Sequence, residues 1–214
     1  MTTTEDDNTI EQIEARGGRF APTLFQALSL AVALAFLSSV VTAWWVNRDP
    51  TPNATDVGFF DDMTTHHNQA IGMAITYLKH GTDPVLGFVA AEINTNQNGD
   101  IRQMQASLHQ WRREGTPGVA MEWMGMSVPQ DAQPGMATNA QLDQLKNARG
   151  LELDDLFSRL MMTHHTGGIH MADAAAKSGH LARNAAANMA TLQRSEIGEM
   201  SLRREQLGLP AYRP

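Results

Sequence analysis

"DMTTHHNQAIGMA" at residues 62–74 and "MMTHHTGGIHMA" at residues 161–172 write one phrase twice. Each holds an adjacent histidine pair, with a methionine three residues before the first histidine and another seven after it. His66 and His164 are 98 positions apart. A second echo follows each phrase: "QNGDIRQM" at 97–104 and "QRSEIGEM" at 193–200 share Gln, Ile and Met and set Asp100 opposite Glu196. Both echoes fall in stretches with helical periodicity, so the repeat unit is a helical hairpin. A lone hairpin cannot bury its own apolar faces, so two copies predict an all-α four-helix bundle with a pseudo-twofold axis.

At about 100° per residue, Met63, Ala70 and Ala74 fall at the centre of the first apolar stripe. His66 and His67 lie on its two flanks, with Met73 beside His66. The second copy repeats the map with Met161 and Gly168 central, His164 and His165 flanking, and Met171 beside His164. Met161, His164 and Met171 read as one lateral cluster. His170 points away and is expected in solvent. Gln97 sits mid-stripe among Leu86, Ala90, Ile93, Ile101, Met104 and Leu108, and Gln193 takes the matching place, with Asp100 and Glu196 at the stripe's edge. A buried amide left unpaired costs roughly 1–3 kcal/mol. The glutamines are therefore expected to face the histidines, and Gln97, Gln193, Asp100 and Glu196 to orient them as ligands.

Thioether and imidazole together form a soft donor set that suits Cu(I), with Ag(I) following the same logic and zinc an alternative through the histidines and Glu196. Ferritin-type di-iron sites need Glu-x-x-His, and no Glu stands three residues before any His. Single methionines in helices are more often core filler, which is the reading for Met189. His80, His109 and His180 read as surface or helix-end residues. All eight histidines and every methionine after the initiator lie beyond residue 60, a distribution that packing alone does not explain.

The motifs "HHNQAIGMA" and "HHTGGIHMA", each followed by a Q-x-x-[DE]-I-x-x-M helix, resemble the bacterial domain of unknown function 305 family over about residues 56–208. The resemblance implies a ferritin-like bundle and a relation to exported copper-binding proteins. It implies His66, His67, Met73, His164, His165 and Met171 as metal-site candidates, with Met63, Met161, Met104 and Met200 nearby. Thr64 departs from the family's usual Ile, and Gly167–Gly168 is expected to loosen the second histidine helix.

Outward from the repeats, residues 20–47 carry no charge. Residues 23–46 suit a bilayer span of about 20 residues, with Trp44 and Trp45 at an interface. Arg16 and Arg19 precede the span and Arg48 follows it, so the N-terminus is expected in the cytoplasm and the body outside it. A signal sequence cut after Ala43 is the rival reading; the length of the apolar run and the two tryptophans favour an anchor. Residues 1–22 then form a cytoplasmic, disordered tail and 47–58 a linker. Residues 59–208 form the metal-binding domain: hairpin 59–113, a Met-rich connector 114–138, and hairpin 139–208.

With no cysteine, thiolate sites and disulfides are excluded. The net charge of −7, without a basic stripe, argues against nucleic-acid binding. No nucleophile–base pair or phosphate loop points to an enzyme. The sequence reads as a membrane-anchored, extracytoplasmic metal-binding protein for copper sequestration or transfer. The second reading is an accessory or assembly subunit of a respiratory membrane complex, or a homo-oligomer.

Overall fold

The computed structural model describes residues 23–46, 51–113, 115 and 118–213. The tail expected at 1–22 lies outside the described residues. Helix α1 (Leu24–Val46) is uncharged and predominantly apolar and, at 1.5 Å per residue, about 34 Å long. By length and composition it is able to cross a membrane. It forms one structural unit, and residues 50–214 form a second.

The second unit holds α2 (Ala54–His80), α3 (Pro84–Trp111), α4 (Asn139–Asn147), α5 (Gly150–Ser178) and α6 (Arg183–Gln206). The linker expected up to residue 58 is shorter than that, because α2 begins at Ala54. Asn53 and Asp56 form a reciprocal capping box, with both bonds at 2.8 Å. Gly58 is helical and bare because Trp123 lies over it; a Cβ there would stand 2.3 Å from the indole. α3 starts as its sequence predicts, with Asp83 capping two backbone N–H groups and Pro84 at the first turn.

α2 pairs with α3, α5 with α6, and the two hairpins pack through α2 against α5. The apolar core falls into two clusters. One gathers Met73, Tyr77, Leu86, Ile93, Phe157, Met161 and Met200. The other gathers Phe59, Met63, Ile101, Met104, Met171 and Met189. In each helix the polar inward residues stand between these two groups: His66–His67 on α2, Gln97 and Asp100 on α3, His164–His165 on α5, Gln193 and Glu196 on α6. The bundle is thus a polar layer between two methionine-bearing layers. This regroups the methionines: Met161 sits with Met73 and Met200, Met171 with Met63 and Met104, so Met161, His164 and Met171 are not one cluster. Ten residues of helix, about 15 Å, separate Met161 from Met171.

Within the connector, β1 (Val119–Ala120) and β2 (Val128–Pro129) form a short antiparallel ladder. The segment is packed over the bundle rather than trailing from it. Buried Asp62 accepts from the Met121 backbone N–H and the Trp123 indole N–H, both at 2.8 Å. Met121 is fully buried and Met126 is exposed.

Candidate metal centre

Four imidazoles occupy the middle layer, all essentially inaccessible to solvent. His66 and His164 meet across the pseudo-twofold axis with ring centroids 3.7 Å apart. His67 and His165 lie outward of them, each against a carboxylate. His67 Nε2 is 3.3 Å from Asp100 Oδ2, and His165 Nε2 is 2.6 Å from Glu196 Oε2. His66 Nε2 lies 3.0 Å from the main-chain carbonyl of Pro134.

In each of these three contacts the partner is an oxygen acceptor, a carbonyl or a carboxylate, so the imidazole donates from Nε2. In a neutral ring that assignment leaves Nδ1 as a bare lone pair. The Nδ1 atoms of His66, His67 and His165 are all buried without a partner, and His164 has none at either nitrogen. Burial holds His66 neutral, lowering its pKa to about 3, with neighbouring His67 adding to the effect. His164 is lowered well below the usual range by burial and then by His66. His67 is lowered by burial against the opposing pull of Asp100. Metal coordination requires such unprotonated nitrogens, and an oxygen acceptor behind each ring fixes which nitrogen is offered.

Gln97 and Gln193 share the layer and are buried, as their mid-stripe positions predict. The expected Gln–His bonds do not form. Both polar atoms of Gln97 and Oε1 of Gln193 stand unpartnered, as does Oε1 of Glu196. The carboxylates have taken the N–H groups of His67 and His165 instead, because a charged acceptor outcompetes a neutral amide, and the Pro134 carbonyl stands at His66. The edge position assigned to both carboxylates holds for Asp100, whose side chain is 27% exposed, but not for Glu196 at 4%.

Met63, Met73, Met104, Met161, Met171 and Met200 are all fully buried, in the layers directly above and below the imidazoles. His170 is exposed, as are His109 and His180. Among the described residues, no three or more His, Asp or Glu side chains already stand in chelating positions. The donors present as paired lone pairs between thioether layers, a set that suits a soft ion of low coordination number better than a hard one.

Gly167–Gly168 was expected to loosen α5, and the structure shows the opposite. Both glycines permit close packing: a Cβ at 167 would fall 1.9 Å from the Pro134 oxygen, and one at 168 would fall 2.4 Å from Gln193 Oε1. Sequence reasoning missed Pro134 altogether, since a backbone carbonyl from a distant connector carries no motif. The break in the repeat, "NQA" against "TGG", was the available signal.

No curated protein matches the chain. Among solved structures, a DUF305 protein from Streptomyces coelicolor is similar at 29% identity, with 75% of this chain and 98% of that one covered and a TM-score of 0.68. CopM in its Cu(I)-bound form is similar at 25% identity, covering 72% and 99%, with a TM-score of 0.57. CopM in an Ag-bound form, also at 25% identity, covers 72% and 98% with a TM-score of 0.52. Residues 56–203 match the family described as Domain of unknown function (DUF305), and the chain belongs to that family.

Proposed function

We propose that the bundle binds Cu(I), and Ag(I) by the same chemistry, for sequestration or transfer rather than catalysis. The observation that carries this reading is the set of four buried imidazoles in the middle layer. Three present a buried, unpartnered Nδ1 behind an Nε2 tethered to oxygen, and His164 has no partner in hydrogen-bonding geometry at either nitrogen. His66, His67, His164 and His165 would hold the ion, with thioethers from Met63, Met73, Met104, Met161, Met171 and Met200 in the adjoining layers. The carboxylates of Asp100 and Glu196 would orient His67 and His165 and offset the ion's charge. The similarity to CopM, solved with Cu(I) and with Ag, supports a soft metal. In this reading α1 serves as a single-pass anchor, and the two arginines before it against one after favour an extracytoplasmic bundle. Thioethers remain competent donors in an oxidising compartment without deprotonation.

The test is competition for Cu(I) between the full chain in detergent and a chromophoric chelator, with metal stoichiometry measured on the recovered protein. Tight binding that disappears in the His66→Ala, His164→Ala double variant is expected. A folded wild-type chain that retains no Cu(I), or binding indifferent to that double substitution, would sink the reading.

A further inference from the structure

The pseudo-twofold symmetry fails at a pair of positions beside the histidines. Aligning His66 with His164 brings Gln69 onto Gly167. Both residues contact the same stretch of connector, 130–137, in opposite ways. Gln69 clamps it: its amide donates to Ala137 O at 2.9 Å, and Ala137 N–H donates back to Gln69 Oε1 at 2.6 Å. Gly167 makes room for it, since any side chain there would overlap the Pro134 carbonyl. Gly135 completes the seat. It sits at φ +80°, and a Cβ would fall 2.5 Å from Thr163 O and 2.9 Å from His164 O. Thr65 adds a bond to Gln130 at 3.3 Å. The segment therefore crosses from α2 to α5 directly over the His66–His164 stack.

The consequence reaches the imidazoles. The seated segment delivers the Pro134 carbonyl to His66 Nε2. The strap brings no equivalent acceptor to His164: neither of its nitrogens has a partner in hydrogen-bonding geometry, and the backbone group that acts on it belongs to His66. The chain after the second hairpin places the Tyr212 hydroxyl on Thr163 at 2.6 Å, the counterpart of the Thr65–Gln130 bond, and stops short of the histidine.

We infer that residues 130–137 are a strap over the metal centre and that Pro134, seated by Gly167 and Gln69, is a positioning residue. The strap fixes His66 in the Nε2–H tautomer, so that Nδ1 alone is offered to an ion, and it closes the α2–α5 face against ion exchange. His66 and His164 are then unequal ligands: one is pre-set by the strap, and the other is not held by it. The ligand's identity rests on the proposed function; the seating of the strap and the tautomer of His66 do not.

The experiment separates the two. The full chain in detergent, labelled with ¹⁵N-histidine and free of metal, is compared with Gly167→Ala, Gln69→Ala and the control Gly72→Ala, whose added methyl meets nothing within 4 Å. Ring ¹⁵N shifts are expected to show a single Nε2–H tautomer for His66 in the wild type and in Gly72→Ala. Both strap variants are expected to give a mixture. Ag(I), as a redox-inert probe, is expected to transfer to excess competing chelator about tenfold faster from the strap variants, as when a lid is weakened. A Gly167→Ala chain that fails to fold leaves Gln69→Ala, which removes the clamp without adding bulk, to decide. An unchanged His66 tautomer in folded Gln69→Ala overturns the inference. A wild type that shows the pure tautomer yet holds no Ag(I) overturns the metal reading and leaves the strap standing.

Discussion

The two hairpins carry the same donors and hold them differently. In the first, His67 faces a carboxylate that reaches solvent and His66 is tethered to the connector. In the second, His165 is locked at 2.6 Å to a sealed glutamate and His164 is untethered. The acids near the helix starts diverge in the same manner. Asp56 and Asp154 are also 98 positions apart. Asp56 Oδ1 gathers three backbone N–H groups at residues 180–182, at 2.8–2.9 Å, and so organises the turn before α6. Asp154 accepts the Tyr77 hydroxyl at 2.5 Å, because Asp83 already caps α3 and is itself clamped by Arg203. Duplication thus supplied matched ligands, and the unequal loops around them broke the symmetry.

The comparison is tested most severely at its shared centre. Replacing His66 and His164 together with Ala is expected to weaken Cu(I) binding by about a thousandfold or more, equivalent to roughly 4 kcal/mol, read by chelator competition. Acid acts on the same layer. A histidine in the unfolded chain protonates near 6.5, whereas His66 stays neutral down to about 3. Between those values only the unfolded chain takes up protons, so acid favours unfolding. Stability of the metal-free bundle should be complete above about pH 6.5 and decline toward pH 3. The loss approaches about 5 kcal/mol for His66 alone at 1.4 kcal/mol per unit. His164 and His67, also lowered, act in the same direction. Denaturation midpoints across that range measure it, and a flat profile would refute the buried neutral layer.

Smaller effects probe the asymmetry. Asp56→Ala should cost about 3 kcal/mol by stranding several N–H groups, and Asp154→Ala about 1 kcal/mol for one bond; equal losses in thermal denaturation would contradict the division of labour. Glu196→Gln should reduce metal affinity about 10–100-fold, the usual range for an acceptor behind a ligating histidine. Asp100→Asn should reduce it only about threefold, because water reaches that side and can replace the acceptor.

What was legible in the sequence was whatever depends on local periodicity and on repetition. The hydrophobic stripes, Asp83–Pro84, the two "HH" pairs and the buried glutamines all announce themselves through spacing along one helix. The wheel also set His67 and His165 on a different flank from His66 and His164, and the structure gives the two flanks different partners. What the wheel could not register was translation along the axis. It grouped Met161 and Met171 on one side of the helix although they lie in different layers.

By itself, then, the sequence determined the helices, the hairpin duplication and the donor inventory, because a 3.6-residue period converts spacing directly into a face. Tertiary structure alone decided which oxygen stands behind each imidazole, which methionines share a layer, and how the connector crosses the histidine stack. Those depend on approaches between segments about 70 residues apart, such as Pro134 on His66, and on the space left by a missing Cβ at Gly167. Such contacts are set by helix packing distance and loop length, quantities that no local pattern encodes.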